Sequence, residues 1–305
     1  MSYTTSGLHH MTAITSDPQR NVDFYTGTLG LRLVKLTVNF DDPSSYHFYY
    51  GDTSGTPGTI LTFFSWPGAS RARAGRGVVE TTHLRVPVGS LSWWDARLRD
   101  AGVETTADNG ALQFADFDGL RFELVEEEAP AHVSPWDASV PSEYAIAGMK
   151  GVTLRVGAVE PTAAVLESEL GFEKQDSGLY TARNSGDFVR LLSDPTSRHA
   201  TTGSGGVHHI AFRSQSESEQ NEWRQDLAAA GYRVSPVMDR DYFRSIYFRE
   251  PNGVLFEIAT DEPGFTVDEP LESLGQSLKL PSQFEAHRAQ VEARLVPVRL
   301  PEVTR

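Results

Sequence analysis

The feature that most restricts this chain is internal repetition. Gly7-Leu-His9-His10-Met-Thr12-Ala-Ile14 and Gly206-Val-His208-His209-Ile-Ala-Phe212 lie far apart yet read as near copies. Each opens a segment in which a short apolar strand leads to a helix, the helix stops at a glycine, and further strands follow. Segments beginning near Val79 and Met149 have the same plan. Thr28-Leu-Gly30-Leu31 in the first segment is echoed by Glu169-Leu-Gly171-Phe172 in the third, and Ala101-Gly102-Val103 in the second by Ala230-Gly231-Tyr232 in the fourth. Odd segments resemble odd ones and even resemble even, so the chain is a duplicated pair of βαβββ units. Such units belong to the α+β class. Each leaves a sheet with one apolar face, and two sheets can close a cupped, barrel-like core. In chain order this gives a first βαβββ pair over 1–128, a linker over 129–147 with three prolines and one tryptophan, a second pair over 148–262, and a tail over 263–305.

Within that frame the helix starts are marked. Ser16 or Asp17 precedes Pro18 as an N-cap, and Ser90 precedes the helix of the second segment. A tail helix is predicted over Ser282 to Leu295, without a counterpart in the repeat.

Composition narrows the functions. The net charge of −14 disfavours nucleic acid and anionic membrane as partners. There is no cysteine, so a disulfide, a thiolate metal site and a cysteine nucleophile are all excluded. No stretch approaches the roughly 20 apolar residues of a membrane-spanning helix, and no secretory signal is visible. A cytoplasmic protein, with homo-oligomerisation left open, is the expectation.

Any metal must therefore be held by nitrogen and oxygen. The two His-His doublets, together with Glu257 on the closing strand of the fourth segment, supply two imidazoles and a carboxylate. On one face of an ion these leave coordination positions free, the donor set of non-haem Fe(II) oxygenases. A competing set exists. Segment two carries His83 and Glu123, read here as holding the places of His209 and Glu257, so His10, His83 and Glu123 could also form a triad. Segment three offers Thr153 where a histidine is needed. Spacing alone does not choose between the two sets. Strand alternation adds a difficulty, because adjacent residues face opposite ways. On alternation alone His9 and His208 are structural. His47, His132, His199 and His287 have no matching partner and read as ordinary, and Trp93-Trp94 reads as packing.

The doublets, together with Gly55-Thr-Pro-Gly-Thr59, Gly89-Ser-Leu-Ser-Trp93-Trp94, Asp239-Arg240-Asp-Tyr242-Phe243-Arg-Ser-Ile-Tyr247, Gly253-Val-Leu-Phe-Glu257, Gly264-Phe265-Thr and Ser273-Leu-Gly275, carry a resemblance over most of the chain. The sequence resembles the vicinal oxygen chelate superfamily, which includes glyoxalase I and the extradiol dioxygenases. More narrowly, it is similar to the hydroquinone ring-cleaving dioxygenases. The resemblance implies a four-unit fold in which units one and four share a barrel and the middle units form the other. It implies Fe(II), with Mn(II) as the alternative ion, held by His10, His209 and Glu257. His9, Thr12, His208, Arg240 and Tyr247 would surround an aromatic diol that is opened with O2. Histidine titrates near neutral pH, so His9 or His208 suits proton delivery, arginine suits developing negative charge, and a tyrosine hydroxyl can donate to an oxygen. The fold also hosts metal-dependent isomerases, epimerases and non-catalytic small-molecule binding proteins, so fold alone does not decide function.

Overall fold

The computed structural model describes residues 4–176 and 178–301. Unit one contributes β1 (Leu8–Thr15), β2 (Arg32–Val38), β3 (Tyr46–Gly51) and β4 (Ile60–Ser65). Unit two contributes β5 (Val78–Val86), β6 (Thr105–Asp108), β7 (Ala111–Ala115) and β8 (Arg121–Glu126). Unit three contributes β9 (Met149–Val156), β10 (Phe172–Asp176), β11 (Leu179–Ala182) and β12 (Phe188–Ser193). Unit four contributes β13 (Val207–Ser214), β14 (Met238–Asp239), β15 (Phe243–Arg249) and β16 (Leu255–Pro263). A helix follows the first strand of every unit: α1 (Pro18–Val22), α2 (Leu91–Asp100), α3 (Val159–Ala164) and α4 (Glu217–Ala229). In units one and three it widens into π-helical turns over Asp23–Thr28 and Val165–Glu169.

The strands form two curled eight-stranded sheets. Their orders are β14-β15-β16-β13-β1-β4-β3-β2 and β10-β11-β12-β9-β5-β8-β7-β6. Units one and four therefore share one sheet and units two and three the other, joined in each case by an antiparallel pair of first strands, β1 with β13 and β5 with β9. This sheet grouping cuts across chain order.

Alternation divides the two faces of the first sheet. Met11, Phe48, Leu61, Ile210, Ile246 and Phe256 point to the face that α1 and α4 cover, and they pack with Val22, Tyr25 and Trp223 in the main core. Their neighbours His10, Tyr49, Thr62, His209, Tyr247 and Glu257 point to the other face. The tail closes that face. Phe265 and Leu274 pack with Tyr49, Tyr242 and Phe243 in a second, smaller core, and buried Lys35 binds Asp268 and Glu269, each at 2.5 Å. Burying apolar surface against an otherwise open sheet stabilises the tail at roughly 25 cal/mol per Å².

Two local expectations need correction. Ser90 does not cap α2: its backbone is already helical (φ −91°, ψ −14°), and the Leu91 N–H is instead received by Glu126 Oε1 at 3.1 Å. The tail helix is two short helices, α5 (Ser282–Glu285) and α6 (Arg288–Glu292), because His287 leaves helical geometry at φ −117°. Asp17 does cap α1, accepting from the backbone N–H groups of Gln19 and Arg20. Among the described residues no helix is long and apolar enough to cross a membrane.

Candidate metal centre

The site is built where β1 meets β13. Each strand carries a bulge there. Leu8 pairs with Phe212 but His10 with Ala211, which leaves His9 as the extra residue. Thr12 pairs with His209 but Ala13 with Val207, which leaves His208 as the extra residue. A bulge breaks alternation locally and re-aims a side chain. Both doublets therefore present two rings to each other rather than to opposite faces. His9 Nδ1 lies 2.9 Å from His10 Nδ1, and His208 Nδ1 lies 2.7 Å from His209 Nδ1. The strict alternation reading of His9 and His208 fails for this reason.

The tautomers of the first doublet follow from one fixed contact. The Thr260 carbonyl can only accept, so His9 Nε2–H donates to it at 3.1 Å. Burial, with the adjacent His10, holds His9 well below the usual histidine range, so it is neutral and its Nδ1 is an acceptor. His10 must then donate from Nδ1. That leaves the His10 Nε2 lone pair directed at Glu257 Oε2, 3.3 Å away, and at His209 Nε2, also 3.3 Å away. His209 Nε2 is 2.9 Å from the same carboxylate oxygen.

His10, His209 and Glu257 are all buried, and their ligand atoms lie within 4.8 Å of one another. Ser245 Oγ donates to Glu257 Oε1 at 2.5 Å, while Oε2 is buried without a hydrogen-bond partner. A buried carboxylate oxygen without a hydrogen-bond partner, with two imidazole nitrogens converging on it, needs positive charge among them, from a proton or a cation. Donors about 2.0–2.2 Å from an ion and at right angles around it stand about 3 Å apart. The triangle here has edges of 2.9–3.3 Å. The donor set fits a divalent metal.

Around it, Tyr247 and Arg240 line a small cavity with His10 and His209. Arg240 Nε donates to the Tyr247 hydroxyl at 3.4 Å, and its Nη2 donates to Asp41 at 3.2 Å. Burial and the nearby Glu257 push the Tyr247 hydroxyl well above its ordinary pKa, so it stays a donor. Thr12 Oγ1 lies 2.8 Å from Thr62 Oγ1, which in turn meets His47 Nε2 at 2.9 Å, and His47 Nδ1 meets the Tyr49 hydroxyl at 2.9 Å. His208, pushed down to about 3 by burial and by His209, is neutral.

Five residues at or around the site were not singled out from sequence as site residues: His47, Tyr49, Thr62, Ser245 and Phe243, the last of which packs on both His9 and His10. His47, read as ordinary, lines the cavity. Strand period offers a signal for one of them, since Ser245 is two residues before Tyr247.

His83 belongs to the other sheet. Its Nδ1 lies 3.0 Å from Glu123 Oε1 and its Nε2 2.8 Å from Thr153 Oγ1, so both nitrogens are engaged. It also does not hold the place of His209. Glu257 pairs with Ala211, whereas Glu123 pairs with His83. His83 thus matches Ala211, and Thr81 matches His209. By the same register Gly151, the partner of Phe188, matches His10, the partner of Ile60. Both imidazole positions are lost in the second sheet. The shared arginine, Arg213 four residues after His209 and Arg85 four after Thr81, is the sequence signal for this register.

The sequence model of the Glyoxalase/Bleomycin resistance protein/Dioxygenase superfamily matches residues 7–124 and 148–258. The chain belongs to this superfamily. Within the superfamily it is 44% identical to "Putative ring-cleaving dioxygenase MhqO" of Bacillus subtilis, over 99% of this chain and 100% of that protein. It is 34% identical to the chlorohydroquinone/hydroquinone 1,2-dioxygenase of Sphingobium indicum, over 92% of each. A crystal structure described as a dioxygenase of the putative kind from Bacillus subtilis superposes with a TM-score of 0.93 at 43% identity, covering 99% of this chain and 100% of that one. Glyoxalase I from Zea mays, 15% identical with a TM-score of 0.60 over 84% of this chain and 92% of that one, shares the superfamily fold alone.

Proposed function

We propose that this protein is a ring-cleaving dioxygenase that opens a hydroquinone-type aromatic diol with O2, using Fe(II), or Mn(II) in its place, held by His10, His209 and Glu257. The observation that carries the reading is the triangle of two imidazole nitrogens and one orphaned carboxylate oxygen, fully buried, beside a cavity edged by an arginine and a tyrosine. The likeness to a named hydroquinone dioxygenase supports the substrate class. A bound divalent iron supplies the Lewis acidity that favours the ionised diol and the redox capacity that O2 chemistry requires.

The chain's own residues supply the rest. His9 and His208 hold the two ligand rings in place through their Nδ1 atoms. Arg240, kept charged by the Tyr247 oxygen and Asp41 despite its burial, places a guanidinium where negative charge develops. Tyr247 keeps its proton and can donate to a substrate oxygen. Thr12, tied to Thr62, sets polarity on the β4 side of the centre. His208 meets His209 through Nδ1, so its Nε2 stays free to hydrogen-bond a substrate oxygen.

The cavity beside the ligands is only about 30 Å³. Benzene needs about 150 Å³. Phe40 and Asp41, held by Arg240, edge that cavity, so a shift of the turn bearing them would widen it.

The test is O2 uptake by anaerobically Fe(II)-loaded protein with substituted hydroquinones and catechols. One O2 consumed per hydroquinone opened, faster than with catechols, is expected. Activity confined to ortho-diols would remove the hydroquinone assignment, and an O2-independent isomerase activity with zinc would remove the dioxygenase.

A further inference from the structure

A second, larger cavity shares His209 with the small one beside the ligands. It has a volume of about 480 Å³ and takes its lining from both sheets. Its walls include the two connectors that lead into β5 and β13, which are bridged at Arg73 with Thr201 and at Arg76 with His199. The connectors cross too closely for side chains at their glycines. A Cβ on Gly75 would lie 2.3 Å from the Arg198 carbonyl oxygen, and one on Gly203 2.3 Å from that of Ser70. The walls are thus fixed by backbone packing.

The charge of this cleft opposes that of the chain. Arg73, Arg76, Arg121, Arg155 and Arg249 line it, against one carboxylate, Glu80. The whole chain holds 27 basic residues against 41 acidic. Glu80 serves both Arg155 and Arg121, and Asp194 also pairs with Arg155. Among the described residues the guanidinium groups of Arg76 and Arg249 are bonded only to the carbonyls of Pro195 and Gly253, and that of Arg73 has no acceptor. Carbonyl contacts do not neutralise charge, so the cleft keeps a positive field, which low-dielectric walls concentrate. His208 and His209 line it, and His209 also lines the small cavity that holds Arg240 and Tyr247.

We propose that this cleft receives the carboxylate that ring opening creates and is the side on which product leaves. The inference rests on the ring-cleavage reading. In that reaction one ring C–C bond breaks and each of its carbons takes one atom of O2. The hydroxyl-bearing carbon becomes a carboxylic acid and its hydrogen-bearing neighbour an aldehyde. The acid then loses its proton to water at neutral pH. A neutral diol offers arginines nothing to pair with, while the opened product carries a full negative charge that guanidinium groups bind through charge-assisted hydrogen bonds. The arginine cleft therefore separates product from substrate by charge.

The experiment uses cis,cis-muconate, a stable six-carbon diene dicarboxylate, as the probe. Its binding is measured by calorimetry on the metal-loaded protein and on an Arg73→Ala/Arg249→Ala variant; both residues are exposed, and circular dichroism checks that the variant is folded. Muconate binding should weaken about tenfold or more in the variant, and the constant for inhibition by the enzyme's own ring-opened product should rise with it. Equal binding by both proteins, absence of muconate binding, or phosphate binding as tight as muconate would each overturn the proposal. Loss of the ring-cleavage reading shows separately, as wild-type protein without O2 uptake.

Discussion

His9 Nδ1 lies 2.9 Å from His10 Nδ1, so two consecutive residues of one strand turn their rings toward each other. The bulge at His9 makes this contact, and the Thr260 carbonyl gives it direction by fixing which His9 nitrogen carries the proton. The consequence reaches His10, whose Nε2 is left with a lone pair facing Glu257.

His9→Ala should therefore weaken the metal without removing a ligand. Loss of such an orienting partner costs about 10–100-fold in metal affinity. Competition titration with a chelator measures it, and unchanged affinity would show that the ligand ring is held by packing alone.

Arg240 has two jobs that mutation can separate. Arg240→Ala removes the guanidinium from the cavity and should lower kcat by about 10²–10³, as loss of one charge-stabilising donor does. Asp41→Ala removes only its exposed ion-pair partner, worth about 0–1 kcal/mol, and should change KM by no more than about fivefold. Steady-state O2 uptake distinguishes them. Equal losses of kcat in both variants would mean that the pair with Asp41, rather than the charge of Arg240, sets the rate.

Legibility in the sequence was uneven for physical reasons. The duplication, the α+β class and the first strands could be read because apolar periodicity and glycine stops are local. The doublets marked the centre because they fall at matching places in the repeat. The bulges could not be read, since an extra residue is defined only against its partner strand, and so alternation misplaced His9 and His208. The same lack of register gave His83 the place of His209, when its strand partner Glu123 shows that it matches Ala211. His47, Thr62 and Ser245 reach the centre from β3, β4 and β15, across sheet neighbours whose order chain sequence does not state.

A buried carboxyl outside the centre gives a pH test of the fold. Asp116, beneath the Tyr25 hydroxyl, is raised by burial from 3.8 to about 6. The folded protein thus holds this proton more tightly than the unfolded chain does. The group's contribution to stability is fully present below its ordinary value near 3.8 and is lost as pH rises through about 6, by about 3 kcal/mol at most. Asn at this position does not titrate. Denaturant unfolding should show the advantage of wild type over Asp116→Asn shrinking from acid to neutral pH. An advantage that grows instead would mean that the hydrogen bonds to the carboxylate outweigh its burial.

The account stands most directly on where the metal binds. Iron bound per chain should be measured after anaerobic loading of wild type, His209→Ala, Glu257→Gln and His83→Ala. One Fe(II) in wild type, none retained after desalting in the first two variants, and full iron with retained activity in His83→Ala is the expected pattern. Iron lost in His83→Ala and kept in His209→Ala would contradict it, and would move the centre to the second sheet with Glu123 as its carboxylate.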